Sequence, residues 1–390
     1  MISVLMCTYN RERFLERAIN SVLGQTYKDI EFIIVDDGST DRSEEIIKSC
    51  TDSRIQYVKM KRNSFYCYAA NCGLTYCRGE YVAFMNSDDV WLPDKLEKQL
   101  EFMEENTQYG ACFTAVSLMD DEEQDVSNKS EDLWNLFARQ HDSQKEWMRS
   151  LFYDGNSLCH PSAMVRKSVL DKVGGFNVMY RQLADYDLWL RILIDTPIHV
   201  LPEQLIRFRW GEKTQDQVSS ATEEHRIRTS NEQVLISRNL IDAMSDEKFR
   251  EFFGEDFQNP SSSSHLEIEL EKCLLMIMAK GWTAYLRTSG LDRLEKVLRD
   301  PDAFDVLQEH FHIHIFDVYN WDKEHLYVSE LEYQSWQALF AHYQRETQNE
   351  KDKVNRLERK IEEFESSKSW KMTAPLRRGM GIIRRIAKQK

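Results

Sequence analysis

Residues 30–41 read Ile30-Glu31-Phe32-Ile33-Ile34-Val35-Asp36-Asp37-Gly38-Ser39-Thr40-Asp41. A β-branched run stops at two acids, a glycine and two hydroxyl residues. The run fits a buried strand, and its end predicts a helix over Asp41–Cys50 with Ser39 or Thr40 as its cap. The same grammar recurs on either side. Ile2–Cys7 is a short apolar run that ends at Thr8-Tyr9-Asn10-Arg11. Phe14, Ala18, Ile19, Val22 and Leu23 then follow at helical spacing. Ile55–Met60 reads as a third strand, Ala69–Cys77 as a helix, and Tyr81–Met85 as a fourth strand ending at Asn86-Ser87-Asp88-Asp89. Strands alternating with helices predict a mostly parallel α/β sheet. In such sheets ligands bind beyond the carboxyl ends of the strands, where three of these polar clusters fall.

Downstream, Asp120–Lys145 is a polar, acidic excursion. Pro161–Val169 reads as a returning strand running into a helix. A turn at Val173-Gly174-Gly175-Phe176 and a helix over Asp185–Ile194 follow. Beyond Arg226 helical patterns dominate. The Ser261–Ser264 run after Pro260 is a break, and Leu266–Leu286 reads as one buried helix. His310, His312 and His314 alternate as on one face of a strand. Tyr333, Trp336, Phe340 and Tyr343 keep heptad spacing, which resumes at Val354, Leu357, Ile361 and Phe364, an interrupted coiled-coil seam. The predicted domains are an α/β domain over 1–225, a helical domain over 226–325, and a coiled-coil-like helix with a basic amphipathic tail over 326–390.

Of 390 residues, 42% are hydrophobic and 30% charged, enough for a normal core and against global disorder. The net charge of -14 excludes a general nucleic-acid binder. Against that balance, residues 366–390 carry eight basic residues and no acid. Leu376, Met380, Ile382, Ile383 and Ile386 interleave with them, which predicts peripheral contact of 368–390 with anionic lipid. Residues 326–366 are expected to pair copies of the chain. The eight cysteines form no CxxC pair, and no secretory signal is read. Reduced thiols in a cytoplasmic protein, at times on the inner face of the cell membrane, are the expectation.

Three polar clusters bear chemistry, each with a plain structural reading beside it. Asp88 and Asp89 end an apolar strand and offer hard oxygen ligands for Mg²⁺ or Mn²⁺. They equally suit a turn into a helix. Asp36 and Asp37 suit a turn as well as a ligand site. Asp185 and Asp187 open a helix, where an acid is either a cap or a base.

Taken together, the motifs resemble glycosyltransferase family 2. The resemblance rests on Ser3-Val4-Leu5-Met6-Cys7-Thr8-Tyr9-Asn10, Ser21-Val22-Leu23-Gly24-Gln25-Thr26 and Ile33–Asp41. It continues through Gly79–Phe84, Ser87-Asp88-Asp89, Val173–Phe176 and Asp185-Tyr186-Asp187-Leu188-Trp189-Leu190-Arg191, in order across residues 1–220. It implies a GT-A fold and inverting transfer of one sugar from a nucleotide-diphosphate sugar, UDP by family frequency. The implied acceptor is a glycan hydroxyl, lipid-linked or free, in bacterial surface polysaccharide synthesis. Ser366–Arg377 is similar to a short segment ending many bacterial polysaccharide glycosyltransferases.

Carried over, Thr8, Tyr9 and Asn10 would line the nucleotide pocket, Asp37 would meet the base with Asp36 beside it, and Asn71 would lie near the nucleotide. Asn86 and Asp88 would face the ribose and diphosphate. Asp88 and Asp89 would hold Mn²⁺ or Mg²⁺. Asp185 would be the general base, and Asp187 would support its helix. The chain departs from the family pattern at Asn86, Ala184 and Gly211, where Asp, Glu and His are common. The departures at Asn86 and Gly211 keep a competing class in view, a non-catalytic nucleotide-sugar-binding or scaffold protein on the same fold.

Overall fold

The structure, a computed structural model, describes residues 1–127, 135–210 and 222–324, with 341–342, 344–345, 347–348 and 350–360. The first half is β1 (Ile2–Thr8), α1 (Leu15–Leu23), β2 (Ile30–Asp36), α2 (Ser43–Ser49), β3 (Ile55–Lys59), α3 (Tyr66–Leu74) and β4 (Tyr81–Asn86). The second runs β5 (Val90–Trp91), α4 (Lys95–Glu105), β6 (Ala111–Met119), α5 (Gln144–Asp154), β7 (Met164–Arg166), α6 (Lys167–Val173), α7 (Ala184–Asp195) and β8 (Ile198–Arg209).

One eight-stranded sheet results, in the order β3-β2-β1-β4-β7-β6-β8-β5. The first four strands are parallel, as expected from the alternation of strand and helix. β7 runs antiparallel to both β4 and β6, while β8 is parallel to β6. Register sets the site: Thr8 lies opposite Asp36, and Cys7 opposite Asn86. The ends of β1, β2 and β4 therefore form one edge. These strands are largely apolar because both faces of the sheet are covered. Leu5, Ile33 and Val35 pack into one core. Val4, Met6, Phe32 and Ile34 pack into the other, which α1 closes with Leu15, Ala18, Ile19 and Val22.

The helical region comprises α8 (Glu223–Ala243), α9 (Asp246–Phe253), α10 (His265–Ile277), α11 (Arg287–Val297), α12 (Ala303–Phe311) and α13 (Ile315–Glu324). It shares the core that holds Leu5 and Trp189, contributing Ile236, Leu240, Phe249, Phe252, Phe253 and Leu286. Three buried phenylalanines of α9, at about 1.5–3 kcal/mol each for full burial, make this a substantial joint. Residues 1–327 are accordingly one compact unit, and 328–390 a second.

Three sequence expectations are corrected. The helix expected over Leu266–Leu286 ends at Ile277, and a 3-10 segment, Gly281–Leu286, follows. Its start is capped as a box: Ser264 accepts from Glu267 N while the Glu267 carboxylate accepts from Ser264 N. The histidine triplet is not on a strand. His310 sits in α12, bonded to Glu267, and His312 ends that helix at φ +58°. Neither Ser39 nor Thr40 caps α2; Asp41 Oδ1 accepts from Ser43 N instead. In the second unit, residues 350–360 are helical and expose Val354 and Leu357. Most of the heptad positions and the whole of 366–390 lie outside the described residues. No helix among the described residues is long and apolar enough to cross a membrane.

Candidate active site

The β2 exit divides its two acids. Asp36 is fully buried, and its oxygens accept from Ser39 N at 2.8 Å and the Tyr57 hydroxyl at 2.9 Å. That acid folds the loop. Asp37 donates its backbone N–H to the Thr8 carbonyl at 2.8 Å, tying β2 to β1. Its side chain accepts from Ser64 N at 2.8 Å, and burial raises its carboxyl above the usual range. Between them and the next loop, Gly38 has φ +78°, and a Cβ there would lie 2.7 Å from the Arg62 carbonyl carbon. Only glycine permits that approach.

The β1 exit meets the same loop. Asn10 adopts φ +50°, donates its backbone N–H to Ser39 Oγ and accepts from Thr40 N at 2.8 Å. Tyr9 is exposed beside it. Thr8 is buried, and its Oγ1 has no hydrogen-bond partner among the described residues. An orphaned buried hydroxyl is costly, and a bound ligand is one way to satisfy it. Phe65, just past Ser64, holds φ +65°, a strain of about 1–3 kcal/mol of the kind that clusters at functional sites.

The β4 exit divides its acids in turn. Asp89 is buried, with Asn86 Nδ2 donating to Oδ2 at 3.0 Å and Arg209 N to Oδ1 at 2.7 Å. One oxygen ties the loop to Asn86 of β4 and the other to Arg209 of β8, and at 1% exposure Asp89 is the less accessible of the two acids. Asp88 keeps 18% of its side chain exposed, with the Arg11 guanidinium 3.6 Å away. Burial raises the Asp88 carboxyl, against the pull of Arg11 and Arg209. Asp88 is thus the acid left for a cation. One carboxylate, with Asn86 turning its nitrogen to Asp89 and leaving its oxygen, is a donor set that suits a Mg²⁺- or Mn²⁺-class ion completed by water and phosphate. Gly211 lies outside the described residues.

Asp185 is the second residue of α7. Its Oδ1 accepts from Tyr186 N at 2.8 Å and its Oδ2 from Asn156 Nδ2 at 3.1 Å. Burial outweighs both bonds and pushes its carboxyl up to about 6. Such a group is ionised at neutral pH yet ready to take a proton. Asp187, on the far side of the helix, pairs with Arg191 at 2.7 Å, and Arg191 binds the carbonyls of Val173 and Gly175. Asp187 therefore supports α7, as expected.

These pieces form one region. Cys159, raised by burial, feels both Asp89 and Asp185. Tyr66, likewise raised by burial, feels Cys7 and Asp185, while Cys7 feels Asp37. The strand ends and the α7 acid are thereby within electrostatic reach of shared neighbours. Asn71 is used differently. Its amide donates to the Phe176 carbonyl at 2.7 Å and accepts from Phe176 N at 2.9 Å, locking the 174–176 turn. His160 Nε2 meets the Tyr66 hydroxyl at 2.8 Å inside a cluster with Phe84, Phe176 and Trp189. Burial drops its pKa to about 3, so it is neutral. Sequence reasoning missed Asn156 and Glu232, and gave no separate role to Arg11. Arg11 closes the Thr8–Arg11 cluster at the β1 exit. The other two lie far from any motif, and only the fold brings them in.

Residues 3–174 match the model of the family described as glycosyl transferase family 2. An uncharacterized glycosyltransferase of Methanocaldococcus jannaschii is 33% identical over 214 residues, 54% of this chain and 70% of that protein. One of Rickettsia prowazekii is 32% identical over 211 residues, with 64% of its length covered. The putative teichuronic acid biosynthesis glycosyltransferase TuaG of Bacillus subtilis is 44% identical over 121 residues, 30% of this chain and 48% of that protein. The S. aureus TarS 1–349 crystal structure in complex with UDP shares the fold at TM-score 0.52 and 16% identity, over 77% of this chain and 90% of that one. With its strand-end motifs on the edge of a mixed, mostly parallel GT-A-like sheet, the chain belongs to glycosyl transferase family 2.

Proposed function

We propose that this chain transfers one sugar, with inversion, from a nucleotide-diphosphate sugar to a hydroxyl of a glycan acceptor, lipid-linked or free. The observation that carries this reading is Asp185, a carboxylate raised to about 6 at the start of α7 and steadied by Asn156. Asp185 takes the proton of the acceptor hydroxyl. The acceptor oxygen bonds to the anomeric carbon as the bond from that carbon to the diphosphate oxygen breaks, and the electron pair leaves with the diphosphate. Thr8, Tyr9, Asn10 and Asp37 form the nucleotide side. Asp88 would hold a divalent cation, which would supply positive charge to the departing diphosphate. Arg11, beside Asp88, adds a fixed positive charge to the same corner.

The donor to test first is a UDP-sugar, and the acceptor class follows TuaG, whose name places it in teichuronic acid synthesis. Surface-polysaccharide assembly is accordingly the setting proposed here, with 368–390 as a peripheral membrane contact and 326–366 as a pairing segment. A thermal-shift screen of nucleotide sugars with Mg²⁺ or Mn²⁺ tests the reading. A donor at one hundred times its Kd adds about 2.7 kcal/mol of apparent stability. At least one UDP-sugar should raise the melting temperature by several degrees, more so with the metal. No shift with any nucleotide sugar would count against it.

A further inference from the structure

One support of Asp185 lies in the helical region, and the helical region grips the element that carries the other. Glu232, on α8, is 4% exposed, and its carboxylate accepts three successive backbone N–H groups of the segment leading into α7. Oε1 takes Arg181 N at 2.8 Å, and Oε2 takes Gln182 N at 2.9 Å and Leu183 N at 2.8 Å. Leu183 is the N-cap residue of α7 and offers no side-chain cap of its own, so the cap comes from another element. Asp185 follows two residues later. Asn239 is seven residues beyond Glu232, on the same face of α8, and donates to the Tyr180 hydroxyl at 3.2 Å.

The second support is Asn156, which donates to Asp185 from just past the end of α5. Here too the helical region grips the element that carries it. Asp256 accepts from the Tyr153 hydroxyl at 2.7 Å and pairs with Arg149, both on α5. Arg149 also donates to the Phe252 carbonyl at 3.2 Å.

We propose that the helical region is a working part of the active site: Glu232 is a positioning residue that fixes the lead-in of α7 and so aims Asp185, while Asp256 steadies the α5 end that carries Asn156. This rests on Asp185 being the base. A carboxylate suits the place because three N–H donors converge on two accepting oxygens, and charge-assisted bonds of this kind are the strong ones. Glutamine has the same shape but turns one of those oxygens into a donor that faces an N–H.

The test uses the full chain, with UDP-glucose, UDP-galactose and UDP-N-acetylglucosamine as probes and UDP release as the readout. E232Q should release UDP at least tenfold more slowly than wild type while binding UDP within threefold of wild-type affinity. Placed in a D185N background, E232Q should change the residual rate less than twofold, because there is no base left to aim. A merely structural role would slow both backgrounds by the same factor, and that result would overturn the proposal. So would an E232Q rate within twofold of wild type. A D185N rate equal to wild type would remove the base assignment itself. Hydrogen exchange covers the case of slow turnover. Residues 180–187 should exchange at least tenfold faster in E232Q with the β2 and β4 peptides unchanged, and equal rates at 180–187 would overturn the claim. Should E232Q fail to fold, D256N carries the same two-background comparison with the same opposed outcomes.

Discussion

Asn86 donates its side-chain amide to Asp89 at 3.0 Å, while Arg209 N takes the other Asp89 oxygen at 2.7 Å. Arg209 continues inward: its Nε donates to the Asp88 carbonyl and its Nη1 to the Asp120 carbonyl, each at 2.7 Å, with the guanidinium over the Phe14 ring. An asparagine thus stands where the family commonly has an aspartate, and it turns Asp89 into a brace between β4 and β8. Two adjacent aspartates acquire different tasks from their hydrogen bonds alone.

That division predicts opposite signatures for the pair. Asp88→Asn should keep the urea midpoint near wild type and lower UDP release at least a hundredfold, with the response to Mn²⁺ lost. Asp89→Ala should strand a buried amide and a buried N–H, costing about 2–4 kcal/mol, seen as a lower urea midpoint. A stable Asp89→Ala with lost metal response would reverse the assignment.

The β2 exit gives a second contrast. Tyr57→Phe removes the bond to buried Asp36 and leaves a carboxylate oxygen unpaired. A loss of about 1–3 kcal/mol is expected, with UDP affinity within threefold of wild type. Urea denaturation and calorimetric titration with UDP measure the two parts separately.

Much of this was legible beforehand. β1, β2 and β4 were visible as apolar runs ending in polar residues, because a two-sided buried strand cannot hide its composition, while half-buried β3 showed only a mixed run. Asp185 was legible as an acid opening a helix within a motif. What stayed hidden depends on distance in sequence. Nothing near Asp88 and Asp89 tells which one Arg209 N will bind, since the partner lies 120 residues away. Glu232 was one acid in a polar helix until the fold set it under the 181–183 segment. The alternating histidines misled because a spacing of two residues carries meaning only in a strand, and His310 and His312 sit at a helix end.

Asn71 offers a third prediction. Its two bonds to Phe176 hold the Gly174-Gly175 turn, which also anchors Arg191. Asn71→Ala should cost about 1–3 kcal/mol of stability while UDP affinity stays within threefold. A loss of UDP affinity with stability intact would return Asn71 to the nucleotide pocket.

The raised Asp185 carboxyl sets the pH behaviour. The base works only when ionised, so turnover should rise tenfold per pH unit below about 6 and level off above it. The stability sign is opposite. Its folded pKa exceeds its unfolded value of about 3.9, so the folded state binds the proton more tightly and loses stability as pH rises between the two. Asp185→Asn should remove that part of the pH dependence, leaving its urea midpoint flatter between pH 4 and 6 than the wild type.

The central claim is that Asp185 is the base of a nucleotide-sugar-dependent transfer. UDP release by wild type and Asp185→Asn, measured side by side over a panel of UDP-sugars at neutral pH with Mn²⁺, tests it most directly. A fall of roughly 10²–10⁴-fold with UDP affinity preserved is expected, the range a positioned base contributes. Equal release by the two proteins with every donor would contradict it.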